Sequence, residues 1–223
     1  MSTKENGNQA KAWSRNDDSN TARTTELDPV SWWRRPCLVA PGIYVCGDLD
    51  TRNTQTAMDQ LANWNNIGIT DIVDLRSEWS DEQFVAMHAP NLSYWWLGTH
   101  DNGGDQALEW FDAGVNVINK SVAKGGQVLV HCHMGINRAP SMALAAMLAT
   151  GVEVVDALAR IRAARPIANI AYAENAVAWN GIRNDMPREL VLRDLRRAQR
   201  WLATHPTDVG WVINRIRTAE VAA

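Results

Sequence analysis

Hydrophobic positions along this chain change their period at definable points. From Met1 to about Asp28 the residues are mostly Asn, Thr, Ser, Asp, Lys and Gly, and Trp13 stands nearly alone among bulky apolar side chains. Such a segment cannot bury enough apolar surface to offset the entropy of ordering it, so residues 1–28 are expected to form a disordered tail. The pattern changes from Pro29. Gly42-Ile43-Tyr44-Val45-Cys46 is a short apolar run bounded by Pro41-Gly42 and Gly47-Asp48, which reads as a strand. Residues 53–66 put Ala57, Leu61, Ala62 and Trp64 at helical spacing, and Gly68 beyond them suits a stop. Ile69 to Leu75 and Leu92 to Leu97 read as the next two strands. Gln106 to Lys124 reads as a long helix with Leu108, Phe111, Val115 and Ile118 on one face, ended by Gly125-Gly126. Gln127 to His131 is apolar in succession, as in the buried centre of a sheet.

Helices then follow one another. Arg138 to Ala149 is apolar throughout, and Val152 to Ala164 is ended by Arg165-Pro166. Ala171 to Gly181, the charged and amphipathic Arg188 to Ala203, and Val209 to Val221 complete the series. Strands alternating with helices predict an α/β domain over residues 29–184. Residues 185–223 are expected to form a C-terminal helical extension that covers the domain or meets a partner. No internal repeat is visible.

Composition narrows the function classes. The chain has 223 residues and 46% hydrophobic content, enough for one well-buried domain. A net charge of −3 and a pI near 5.9 provide no basic field for nucleic acid or an anionic membrane. No apolar run has the length of a membrane span, and no signal-peptide core stands at the N-terminus. Three cysteines, Cys37, Cys46 and Cys132, argue against a disulfide framework and for a reduced, cytoplasmic setting. The eleven tryptophans have two readings. One is core filling plus an amphipathic surface, and the other is a stacking platform for a sugar or base. The Arg193, Arg196, Arg197 and Arg200 cluster reads as a solvated helix face.

Chemistry concentrates in Val130-His131-Cys132-His133-Met134-Gly135-Ile136-Asn137-Arg138-Ala139-Pro140-Ser141, where a central strand runs into a loop and then a helix. Five residues between Cys132 and Arg138 suffice to curl around one tetrahedral anion. Backbone N–H groups of His133, Met134, Gly135, Ile136 and Asn137 would point inward as a nest, with the helix N-terminus adding positive partial charge. Gly135 would allow a conformation or an approach that a Cβ would hinder. Arg138 offers a planar fork for two phosphate oxygens. Cys132 sits where this field favours a thiolate, a nucleophile poised for in-line attack on phosphorus.

The stretch resembles the signature phosphate-binding loop (P-loop) of the cysteine-dependent protein tyrosine phosphatases: His-Cys, five residues, Arg. The surroundings are most similar to the compact dual-specificity branch. Pro41 to Val45 with Gly47-Asp48 resembles its opening strand, Gly68 to Arg76 its second strand, and Arg165-Pro166-Ile167 a later turn. The resemblance implies a mostly parallel central sheet flanked by helices and phosphomonoester hydrolysis through a phosphocysteine. No metal and no cofactor are expected, because the sequence holds no second Cys/His cluster. The implied partner is a phosphorylated protein, with phosphotyrosine first and phosphoserine or phosphothreonine beside it.

A general acid must protonate the leaving group and later deprotonate water. In the family it is an Asp on a loop some way before the cysteine. Asp101 lies 31 positions before Cys132 and takes that role here. Asp105 is the rival, with helix N-capping as its bland reading. The resemblance gives His131 the task of orienting the loop through hydrogen bonds. His131, Cys132 and His133 also admit a metal reading, but neighbours on a strand end point to different sides. The family's hydroxyl directly after the Arg is Ala139 here, and Ser141 is two residues further on. Slow breakdown of the phosphoenzyme is therefore expected. Arg138-Ala139-Pro140 also resembles glucan phosphatases, although Asn137 departs from their pattern. The alternatives are thus a non-protein substrate (glucan, RNA 5′ phosphate or phosphoinositide) or a low-turnover phosphate-recognition module. A disulfide trap of Cys132 by Cys46 or Cys37 depends on distances.

Overall fold

The computed structural model describes residues 32–222; the tail expected over residues 1–28 lies outside them. Within them a five-stranded sheet has the order β1-β2-β5-β3-β4, comprising β1 (Cys37–Ala40), β2 (Ile43–Cys46), β3 (Asp71–Arg76), β4 (Ser93–Thr99) and β5 (Val128–His131). β1 and β2 pair antiparallel, and every other pairing is parallel. The helices are α1 (Thr54–Asn66), α2 (Glu82–His88), α3 (Leu108–Ala123), α4 (Arg138–Ala149), α5 (Val154–Ala164), α6 (Ala173–Arg183), α7 (Arg188–Thr204) and α8 (Val209–Ala222). The α/β architecture and the mostly parallel sheet are as expected. Among the described residues no helix is long and apolar enough to cross a membrane.

The central strand follows from its sequence. All four residues of β5 are buried, and alternate side chains enter different cores. Val128 and Val130 join Val45, Val73 and Leu75 under α3, α4, α5 and α6. Leu129 joins Cys46, Ile72, Leu61 and Trp64 on the other face. Each such fully buried aliphatic side chain contributes about 1.5–3 kcal/mol. A one-residue slip would exchange the two sets between differently shaped cores, so the register that delivers Cys132 to the strand end is specified by packing on both faces. α4 begins beyond the loop and is buried all round from Arg138 to Leu148, as its apolar run requires.

Besides the three-residue 3-10 helix at Trp32–Arg34, two elements escaped the sequence reading. β1 is a four-residue edge strand with only Val39 buried, and α2 is a seven-residue helix with only Val85 buried. Neither is long enough to show a period. α3 starts at Leu108 rather than Gln106, with Ala107 as N-cap and no side-chain cap. The tryptophans divide: Trp33, Trp64 and Trp179 fill cores, while Trp79, Trp95, Trp96 and Trp211 are exposed. α7 packs Ala198 into the main core, and Arg193 and Arg197 pair with Asp194 and Glu153 on its exposed side. α8 makes a separate small core described below.

Candidate active site

The loop from Cys132 to Asn137 joins the C-terminal end of β5 to the N-terminus of α4. In an open parallel sheet this end of the strands is where ligands bind. Four consecutive loop carbonyls are held from outside. His133 O accepts from the Asp48 N–H at 3.0 Å. Met134 O and Gly135 O accept from the Arg165 guanidinium at 3.0 and 2.7 Å. Ile136 O accepts from the N–H groups of Asn169 and Ile170 at 2.8 and 3.2 Å. The four carbonyls are thus engaged by groups from other segments. Among the described residues none of the N–H groups from His133 to Asn137 donates to a backbone carbonyl. Asn137, at the N-cap of α4, gives its side chain to Asp101 and Asn169 instead of to the helix. Loop N–H groups free of backbone partners, next to a helix N-terminus, are the elements from which an anion nest is built.

Gly135 is required there. Its φ is +65°, and an added Cβ would lie 2.5 Å from the Cys46 carbonyl oxygen and 2.4 Å from Arg165 Nη2. The Arg165 fork occupies the space that any side chain would need.

Arg138 is buried and its N–H groups are divided. Glu78 takes the end-on pair, with Nη1 donating to Oε2 at 2.8 Å and Nη2 to Oε1 at 2.9 Å. Nη1 also faces the Thr99 and Leu75 carbonyls at 2.8 and 3.3 Å. Nε–H has no hydrogen-bond partner, and Nη2 has one hydrogen left. These two donors lie along one edge of the guanidinium plane and match two oxygens of a phosphate. The fork expected from sequence is thus a side-on fork, fixed by an acid on its other edge. Glu78 in turn is held below the usual carboxylate range: burial opposes this, but the Arg138 hydrogen bonds outweigh it.

Asp101 reaches the same place. Its Oδ2 is 3.7 Å from Arg138 Nε, its Oδ1 accepts from Tyr172 Oη at 2.7 Å, and Asn137 Nδ2 donates to it at 3.3 Å. The Tyr172 hydroxyl is pushed up to about 12 by burial and by the Asp101 hydrogen bond. Asp105 accepts instead from Asn175, in the loop ahead of Ala107, so it is not the cap of α3.

The remaining sequence-derived residues are placed as follows. His131 is fully buried at the end of β5, tilted against Trp64, with both ring nitrogens lacking a hydrogen-bond partner. Its ring lies beside the loop, and the Cys132 backbone acts on it. Burial pushes its pKa down to about 4, partly opposed by Asp74, whose Oδ1 stands 3.8 Å from Nε2. His133 leaves that axis and sets its ring edge-on to Trp79, 5.4 Å away. Ser141 is buried, and its hydroxyl accepts from the Tyr172 N–H at 3.1 Å. Ala139 is buried in the main core. All three cysteines are free thiols; Cys46 is paired with His131 in the sheet register, and burial pushes its thiol well up.

Behind the loop lies a buried charge cluster. Arg76 binds Asp74 and Asp81, Tyr94 donates to Asp74, and Arg34 binds Asp48 and Asp50 at 3.1 Å each. Burial raises Asp48 to about 6, with Arg34 as the main opposing charge. The sequence reading did not assign Glu78, Arg165 or Tyr172 to the site. An acid in the loop after a strand beside β5 was the available signal for Glu78. Arg165 carried none, because its role is set by carbonyls that only the fold brings together.

Comparison with known proteins places the chain in a family. Dual specificity protein phosphatase 26 of Homo sapiens is 27% identical over 132 residues, covering 58% of this chain and 59% of that protein. Dual specificity protein phosphatase 15 of Rattus norvegicus is 30% identical over 132 residues, covering 59% of this chain and 50% of that protein. The match thus spans about half to three fifths of these relatives' lengths. Among solved structures, human DUSP28 superposes with a TM-score of 0.55 at 18% identity, covering 67% of this chain and 95% of that one. The human tyrosine phosphatase-like serine/threonine/tyrosine-interacting protein gives 0.53 at 21%, covering 68% and 99%. These superpositions show a shared fold. The family model described as the dual specificity phosphatase catalytic domain matches residues 52–179, more than half of the sequence, and the chain belongs to that family.

Proposed function

We propose that this chain hydrolyses phosphomonoesters through a phosphocysteine intermediate, with phosphotyrosine in proteins as the first substrate class and phosphoserine or phosphothreonine beside it. The observation that carries this reading is Arg138: its end-on donors are held by Glu78, while Nε–H makes no hydrogen bond and one Nη2–H is left over, with Asp101 Oδ2 3.7 Å from Nε. A phosphate seated there receives the loop amides and the side-on edge together, and the same groups stabilise charge on the equatorial oxygens as the phosphoryl group transfers.

In the first step Cys132 Sγ forms a bond to phosphorus as the ester P–O bond breaks. The electron pair stays on the departing oxygen, which takes a proton from Asp101. In the second step water adds to phosphorus, its proton passes to Asp101, and the thiolate leaves. The products are an alcohol or phenol and inorganic phosphate. The Tyr172 and Asn137 hydrogen bonds to Asp101 support its place beside the reacting oxygen. The naming of the relatives as dual specificity protein phosphatases supports a protein substrate. Trp79, exposed and set against His133, supports an aromatic leaving group at the rim.

Steady-state hydrolysis of a small aryl phosphate tests the reading. Wild type turns over, and Cys132→Ser and Arg138→Lys lose turnover by several orders of magnitude as folded proteins. A Cys132→Ser variant that retains wild-type turnover would remove the mechanism.

A further inference from the structure

α8 lies well beyond the family-matched residues 52–179, yet it packs on the signature loop. Met134 and Ile136 turn away from the sheet into a small core with Trp32, Val212, Ile213 and Ile216. At the end of the same helix Glu220 meets the loop's polar side. Its Oε1 stands 3.5 Å from His133 Nε2 and 3.8 Å from Arg34 Nη2. Its backbone carbonyl accepts from Arg52 Nη1 at 3.3 Å. His133 directly follows Cys132, and its buried Nε2 has no hydrogen-bond partner; Glu220 is the acid ion-paired with it at 3.5 Å, while Asp48 and Glu78 also act on its charge. Arg34 ties Asp48, whose N–H holds the His133 carbonyl. One carboxylate therefore touches both the side chain of His133 and the arginine that anchors the segment holding its backbone.

We propose that α8 is a working part of the phosphate site, with Glu220 as a positioning residue that sets the signature loop through His133. The inference rests on the phosphatase reading above. The apolar contacts of Val212 and Ile216 fix where α8 lies, and the Glu220 contact sets the rotation of the first peptide units after Cys132. Those units carry the first N–H groups of the nest. Loosening them weakens capture of a tetrahedral anion more than it alters the transfer step.

The test uses the full chain with Glu220→Gln and Glu220→Ala, neither of which removes the apolar contacts. KM for an aryl phosphate and the inhibition constant of inorganic vanadate both rise about fivefold, while kcat stays within about twofold. His133→Asn alone gives the same shift, and adding Glu220→Ala to it gives no further loss, because both act through one contact. Melting temperature is measured alongside. A folded Glu220→Gln variant with wild-type KM and vanadate inhibition, or strictly additive losses in the double variant, overturns the proposal. Wild type that neither turns over nor binds vanadate overturns the phosphatase reading and this inference together. An active wild type with a silent Glu220 overturns this inference alone.

Discussion

Glu78 and Arg138 face each other end-on, with Nη1–Oε2 2.8 Å and Nη2–Oε1 2.9 Å. This bidentate pair decides which edge of the guanidinium is left for a phosphate. Glu78→Ala frees the arginine to rotate, so kcat/KM falls although Glu78 never touches substrate. Glu78 is partly exposed, which limits the pair to about 1–2 kcal/mol, or about tenfold in kcat/KM. Glu78→Gln, which keeps one acceptor, falls less. Equal activity of all three proteins would mean that Arg138 is positioned by its carbonyl contacts alone.

Gly135→Ala is expected to damage stability and site together. The residue would sit at φ +65° with its Cβ 2.5 Å from the Cys46 carbonyl oxygen and 2.4 Å from Arg165 Nη2. The backbone strain alone is about 1–3 kcal/mol. Denaturant unfolding should show the loss, and vanadate binding should weaken with it. A stable variant with normal vanadate affinity would contradict the outward-carbonyl loop.

Ala139→Ser tests the missing hydroxyl. Ser141 already accepts from the Tyr172 N–H, and no hydrogen bond joins it to Cys132 among the described residues. Wild type should therefore show a burst of phenol equal to the enzyme concentration, followed by a slower steady state. Ala139→Ser should raise the steady state and shrink the burst. A wild type without a burst and with fast turnover would place the slow step elsewhere.

Two buried groups make opposite pH contributions to stability. His131 falls from 6.5 to about 4 on folding, so its contribution is full above pH 6.5 and is lost as pH falls toward 4. Asp48 rises from 3.8 to about 6, so the folded state takes up its proton first. Its contribution is full below pH 3.8 and is lost as pH rises toward 6. The two contributions run in opposite directions and partly offset each other between pH 4 and 6. Asp48→Asn removes one of them. The free energy of urea unfolding should then fall more steeply on acidification than in wild type, by up to about 3 kcal/mol over that window. Parallel curves would show that Asp48 does not titrate there.

The fold was legible where periods were long. The β5 run and the α3, α4 and α5 patterns define the parallel core, and strand-loop-helix placement follows from residues 127–149 alone. The short β1 and α2 were not legible, because four and seven residues cannot display a period above noise. Within the site, Cys132 and Arg138 could be named from the loop's spacing and Asp101 from the family resemblance, and the structure brings Asp101 and Arg138 together at 3.7 Å. Glu78, Arg165 and Glu220 could not, because each acts on the loop from an element distant in sequence. Their roles depend on which carbonyls and ring nitrogens the fold leaves pointing outward.

The most direct test of the central claim is the mass of the Cys132 peptide after acid quench during turnover of an aryl phosphate. The account predicts a phosphoryl adduct on Cys132 that forms within the burst, accumulates further in Asp101→Asn, and is missing in Cys132→Ser. Turnover at the wild-type rate with no adduct on Cys132 at any quench time would contradict it.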